Sequence, residues 1–328
     1  MPTPDSYELH RLSHTGETGT TLAVVAPAWG ANIVGFAFHP KALLWPIPGL
    51  EAVDPASLAA KPTSYGAPLL APTPGRLGAT EAGAFRFDGR PYRMAQPRHG
   101  FLRSLPWTVL ERTPASITCA LDVAPPDAPE AFPFSFRVEH HVSVADGRLE
   151  AALTFRSTGR VEQPISAGWH PYFHRDPGCR LHVPAASYWE VDDSEEPVPT
   201  GRRVPVTGAS DFRQGRTLEA AEHWDRTFSD LSMVEGVATS ELESEITVRD
   251  TRGKEVAVNV RRVMRSDLPN VQLYTAPGRS AVAVEPFSSP PDALNLLAAG
   301  HADTGVRRLG PGQTTAFAMT LGIFAAGA

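Results

Sequence analysis

Cysteine is scarce: the chain of 328 residues holds only Cys119 and Cys179, far apart and outside any C-x-x-C pair. That excludes a disulfide scaffold and reads as reduced thiols in a cytoplasmic protein. The start, Met1-Pro2-Thr3-Pro4-Asp5, lacks the basic region and apolar run of a secretory leader. Long apolar runs are missing too. The most apolar segment, residues 21–50, is broken by Pro27, Gly30, Gly35, Pro40, Pro46 and Pro48, so it does not read as a membrane helix. Positive charge is not in excess: Lys and Arg total 30 against 36 Asp and Glu, a formal charge of −6, which leaves no electrostatic footprint for nucleic acid or anionic membranes. No G-x-G-x-x-G follows a strand pattern, and neither a P-loop nor a G-x-S-x-G elbow occurs, which argues against nucleotide-dependent and serine-hydrolase chemistry. No repeat of fixed period is visible, which disfavours propellers and solenoids.

What the chain does have is alternation. Phe134, Phe136, Val138, His140, Val142 and Val144 occupy every second position, Asp146-Gly147 turns the chain, and Leu149, Ala151, Leu153 and Phe155 alternate on the way back. That predicts a long β-hairpin. A second is expected over residues 245–260, turning at Thr251-Arg252-Gly253-Lys254, with shorter strands or hairpins at residues 84–94, 107–123, 271–275, 281–284 and 314–323. Helix signals are few: Asp292 could cap a short helix through residue 299, stopped by Gly300, and residues 217–224 could form a turn or two. The proline-rich segments 40–74 and 125–133 read as long surface loops rather than linkers, since strand patterning resumes after each. The expectation is an all-β chain: residues 1–328 as a single large antiparallel β-sandwich of two big sheets.

Two ionisable residues stand directly before prolines: His170, in Gly168-Trp169-His170-Pro171-Tyr172-Phe173, and Glu285, in Glu285-Pro286. A residue before proline is pushed into extended backbone, so both are expected at strand ends or in loops, where functional groups are displayed. An imidazole and a carboxylate held rigidly are what a general acid and a general base require. His170 reads equally well as a structural histidine among aromatic rings. Glu285 ends the apolar run Ala281-Val282-Ala283-Val284, a place where a carboxylate is paired, working or merely solvated at a strand end. His174 follows His170 at i+4, but no acidic residue completes an H-E-x-x-H helix and Pro171 interrupts one, so zinc is not expected. Arg76 after Pro74-Gly75, and His99 before Gly100, sit where glycine allows close approach of backbone to a ligand. Asp225 could bind hydroxyls or pair with Arg226. His140 and His141 point to opposite faces of one strand and cannot chelate together. The acidic run Asp192-Asp193-Ser194-Glu195-Glu196 reads as a solvated loop.

In order along the chain, these pieces resemble the aldose 1-epimerase (galactose mutarotase) family. Gly66-Ala67-Pro68-Leu69-Leu70-Ala71-Pro72 leading into Pro74-Gly75-Arg76 is similar to its first substrate loop. Phe85-Arg86-Phe87-Asp88-Gly89-Arg90-Pro91-Tyr92 follows, then His99-Gly100-Phe101 with Trp107, His170-Pro171-Tyr172-Phe173, and Asp225 with Phe228. Gln272-Leu273-Tyr274-Thr275, Glu285 with Pro291-Asp292-Ala293-Leu294-Asn295, and Leu309-Gly310-Pro311-Gly312-Gln313 complete the match. The resemblance implies a β-supersandwich that interconverts the α and β anomers of a free sugar, with His170 as acid and Glu285 as base. It also implies that Arg76, His99, Asp225 and Gln272 hold the sugar. No metal or organic cofactor is implied. The expected partner is a small-molecule sugar, with no nucleic acid and no membrane, bound by a monomer or homodimer.

At neutral pH the reaction would use Glu285 as carboxylate and His170 as imidazolium, their proximity favouring both charged forms. The chain departs from the family's usual pattern in three places. Pro286-Phe287-Ser288-Ser289 follows Glu285 where Thr-Gln is common, Gly168-Trp169 precedes His170 where Thr is more usual, and Leu77-Gly78-Ala79 follows Arg76 without the common asparagine. These changes leave the proton-transfer pair intact and alter the pocket around it. Two rivals remain open. Arg98, Arg103, Arg175 and Arg226 near the proposed site suit a hexose 6-phosphate. Trp169, Tyr172, Trp224 and Phe287 could instead stack on sugars in a non-catalytic sensor on the same scaffold.

Overall fold

The computed structural model describes residues 8–51, 55–79, 81–124 and 132–326. The alternating segments form two large antiparallel sheets. One has nine strands in the order Arg216–Thr217, Arg180–His182, Ala238–Arg249, Glu255–Ser266, Thr314–Ala326, Arg148–Ser157, Phe136–Ala145, Ser116–Val123 and Thr108–Arg112. The other orders Pro199–Pro205, Ala185–Val191, Asp225–Leu231, Asn270–Thr275, Ala281–Phe287, Gly168–Trp169 and Leu69–Leu70, with Tyr172–His174 also paired to Ala281–Phe287. A four-stranded sheet begun by His10–Thr15 and Gly19–Ala26 completes the architecture together with two small ribbons.

The predicted hairpin closes as expected: Ala145 pairs Arg148, and Asp146 and Gly147 both have positive φ (34° and 73°), the two-residue turn that matches strand twist. The second hairpin runs Ala238–Arg249 to Glu255–Ser266, longer than its apolar alternation. Its inward positions include Ser240, Ser244 and Arg262, all buried, so the strand continues where hydrophobicity stops marking it. One apolar cluster takes side chains from both large sheets, Phe155 and Phe317 from one and Val282 and Val284 from the other. Each such side chain stabilises the fold by roughly 1.5–3 kcal/mol.

Helix is sparse, with differences in detail. Ala293–Ala298 is helical, but Asp292 does not cap it. The Asp292 side chain instead accepts hydrogen bonds from the Gly78 amide (2.8 Å) and Asn295 Nδ2 (2.7 Å). Residues 217–224 form a turn after the strand Arg216–Thr217 rather than a helix. The segment 40–74 carries strands at Ile47–Pro48 and Leu69–Leu70 and a helix at Pro55–Ala60, so it is more than loop. Of the stretch 125–133, only residues 132 and 133 are among those described, and Phe132 is buried in the core rather than on the surface.

Register places the site. Thr227, Gln272 and Glu285 are direct cross-strand partners, and Asp225, Tyr274, Ala283 and Tyr172 form the next row. Directly opposed residues share a face, as do residues two apart on one strand. Along Ala281–Phe287 one face therefore carries Ala281, Ala283, Glu285 and Phe287, while Val282 and Val284 turn into the main core. Ala281 and Ala283 pack with Tyr172 and Tyr274 on that face.

Candidate active site

A cleft of about 240 Å³ opens on this face, lined by Arg76, His99, His170, Asp225, Gln272 and Glu285. All six sequence candidates thus lie together. Clefts for drug-sized ligands span roughly 300–1,000 Å³, so this one suits a single small polar molecule.

His170 lies in the break between the strands Gly168–Trp169 and Tyr172–His174. Its amide donates to the Pro68 carbonyl (2.9 Å). Glu285 is not at a strand end: it sits inside Ala281–Phe287, fully buried. Glu285 Oε1 is 3.2 Å from His170 Nε2, and the Tyr172 hydroxyl is 3.2 Å from the same nitrogen, with the Tyr172 ring stacked on the imidazole at 4.2 Å. Glu285 Oε2 has no hydrogen-bond partner among the described residues. Beneath the pair Trp169 is wholly buried and donates to His140 Nε2 (3.4 Å), so His140 donates through Nδ1 to the Ala31 carbonyl (3.1 Å). Burial holds His140 neutral, its pKa pushed down to about 3. His141 faces the other way, on Thr118.

Burial acts on the pair against the charged forms that the sequence reading expects. Burial pushes the Glu285 carboxyl well above its ordinary value, and the charge of Asp225 acts in the same direction. Burial pushes His170 well below its own, helped by Arg103. Desolvation thus works against the carboxylate and the imidazolium alike, opposing their mutual attraction at 3.2 Å.

His99 has left-handed backbone (φ 65°), uncommon for a residue with a side chain. Its Nδ1 accepts the Gly75 amide (3.1 Å), so the ring proton is on Nε2. Burial, then the charge of Arg103, keeps this ring neutral as well. The glycines beside Arg76 and His99 are required by the fold, and Gly75 also lines the cleft. A Cβ on Gly75 would lie 2.6 Å from Pro291, and one on Gly100 2.2 Å from the Ala71 carbonyl oxygen. The departure at Gly168 has the same kind of cause: a Cβ there would meet the Pro286 carbonyl oxygen at 2.4 Å.

Asp225 pairs with Arg76 (2.7 Å) and accepts from Gln272 Nε2 (2.6 Å), while Arg226 stacks over Tyr188 instead. The acidic run is not merely solvated. Glu196 bridges Arg76 Nε (3.0 Å) and Arg98 Nη2, two cations that an isolated β-bridge sets opposite each other. Of the four arginines near the site in sequence, Arg98 and Arg103 line the cleft; Arg175 donates to the carbonyls of Glu219 and Glu222. Tyr274 also lines it and was missed, although its place two residues after Gln272 on one strand is the signal that finds it. Trp169 is core, and Trp224 packs edge-on to Phe212, so neither offers a stacking platform; Tyr172 and Phe287 line the cleft. His174 lies on a strand, not a helix shared with His170. Among the described residues no three His, Cys, Asp or Glu side chains could together hold a metal.

The fold is the galactose mutarotase-like β-supersandwich. A galactose mutarotase-like protein from Clostridium acetobutylicum matches it with a TM-score of 0.75 at 19% identity, over 99% of this chain and 97% of that one. A GalM/aldose epimerase homologue from C. elegans matches with a TM-score of 0.75 at 18% identity, over 97% and 99%. The uncharacterized protein YihR of Escherichia coli (strain K12) is 25% identical over 297 residues, 85% of this chain and 87% of its own length. Residues 13–322 match the aldose 1-epimerase family as a whole, and the chain belongs to that family.

Proposed function

We propose that the cleft interconverts the α and β anomers of a free aldose, with His170 as general acid and Glu285 as general base. The observation that carries this reading is the 3.2 Å approach of His170 Nε2 to Glu285 Oε1 in a small polar cleft. Mutarotation needs one proton removed and one supplied, and this pair holds one proton and one vacancy. Sugar hydroxyls entering the cleft replace solvation that burial removes, and the proton moves to His170. Glu285 then takes the proton of the C1 hydroxyl while His170 protonates the ring oxygen. The C1–O5 bond breaks with its electrons on O5, and O1 becomes the aldehyde oxygen. Rotation about C1–C2 and attack of O5 on the other face of C1, with the proton roles reversed, closes the other anomer. Arg76, Asp225 and Gln272 form one hydrogen-bonded chain along the wall, suited to fixing hydroxyls, and His99 Nε2–H adds a donor. Two buried free thiols suit a reducing compartment such as the cytoplasm.

Exchange spectroscopy on equilibrated sugars tests the reading, since magnetisation passes between the α and β anomeric protons only as fast as the ring opens. Acceleration by the wild-type protein is expected. Sugar binding without faster exchange would make the protein a sensor rather than an epimerase.

A further inference from the structure

Arg76, Arg98 and Arg103 bring three positive charges to the cleft, while Asp225 and Glu196 bring two negative ones. Arg76 pairs with both carboxylates and Arg98 with Glu196. Glu285 is already taken up by His170, with Oε1 3.2 Å from Nε2. Arg103 is left over. Among the described residues no carboxylate lies within ion-pair distance of it, and its one side-chain hydrogen bond is a long one, Nη2 to the Arg98 carbonyl (3.4 Å). It is nonetheless partly buried, in a wall with His99 and His170, and close enough for its charge to bear on both and on Glu285. An enclosed guanidinium without a counter-ion is unfavourable unless something charged or polar arrives to meet it. Its fork suits an oxyanion better than a hydroxyl.

Resting on the epimerase reading above, we infer that Arg103 seats an anionic substituent of the sugar, and that the substrate is an aldose carrying one negative charge, of the uronic acid type. A neutral hexose would leave Arg103 unpaired. A phosphate dianion would exceed the single uncompensated charge, since Arg98 is already held by Glu196.

The test compares anomer exchange of D-glucuronate, D-glucose and glucose 6-phosphate by the wild type, Arg103→Met and Arg103→Lys, with melting curves to confirm folding. The wild type is expected to favour glucuronate. Arg103→Met should lower kcat/KM on glucuronate about 100-fold more than on glucose, chiefly through KM, as truncation of one partner in an enclosed charge pair does. Lysine should restore part of it. Equal losses on both sugars, or a wild-type preference for glucose, would overturn the inference; a preference for the phosphate would overturn the single-charge count. Binding of glucuronate to a Glu285→Gln background, with and without Arg103→Met, reads the seat independently of catalysis. If no sugar exchanges faster, the epimerase reading fails, yet Arg103-dependent binding of glucuronate still upholds the anion seat and its absence sinks it.

Discussion

Glu285 shows how burial and pairing compete on a single side chain. A carboxyl with raised folded-state pKa keeps its proton while the unfolded chain loses it near pH ~4.3. Between those values the unfolded state binds fewer protons, so stability falls as pH rises through that window. Glu285→Gln removes the loss and can still donate to His170. Its melting temperature relative to wild type should therefore rise more at about pH 8 than at about pH 4.5; an equal shift at both would mean that the carboxyl ionises normally. Activity should move the opposite way, falling on the order of 10²- to 10⁴-fold. His170, lowered by burial, should give nitrogen-15 shifts of a neutral imidazole in the empty protein at about pH 6, below its ordinary pKa of ~6.5, where an unperturbed ring is mostly imidazolium. An imidazolium signature there would restore the charge-separated pair. Residue type alone pointed to both groups, but their charge state was not legible, because it depends on enclosure by strands distant in sequence. Glu196 was illegible for a related reason: its partners lie 98 and 120 residues away.

At the scale of elements, period-2 alternation showed seven of the nine strands of the larger sheet and both long hairpin turns, but only Asn270–Thr275 and Ala281–Phe287 of the second large sheet and none of the four-stranded one. It could not show that Ala281-Val282-Ala283-Val284, apolar throughout, has two different faces. Only cross-strand register puts the alanines on the face of Glu285, packed with Tyr172 and Tyr274, and the valines in the core. Nor could it find strands that continue through Ser240, Ser244 and Arg262, because buried polar residues break the hydrophobic signal. The loop carrying Arg76 is held by Gly75, with φ 71° and Pro291 packed against its open side. Gly75→Ala should destabilise the protein by about 1–3 kcal/mol, from a strained φ together with a clash. KM should rise more than kcat falls, since Arg76 moves while the His170–Glu285 pair stays. Unchanged denaturation and KM would show that the turn tolerates a side chain.

The whole molecule is tied together at Arg262, a fully buried cation on the strand Glu255–Ser266. It donates to the Pro48 carbonyl (3.1 Å) from the four-stranded sheet and to Ser244 Oγ (2.8 Å), and pairs with Asp176 at 3.0 Å. Arg262→Ala leaves Asp176 without its partner and should reduce stability by about 3–5 kcal/mol in urea titrations; a loss within about 0.5 kcal/mol, as at ordinary surface sites, would remove its structural role. Arg262 thus ties the nine-stranded sheet to the four-stranded one, and proton transfer between a sugar and the His170–Glu285 pair is the central claim. The direct measurement is polarimetry of freshly dissolved α anomers of glucose, galactose and glucuronate with wild-type protein and Glu285→Gln. The prediction is faster equilibration of at least one sugar by the wild type, lost in the variant. Equal rates with wild type, variant and buffer alone would contradict it.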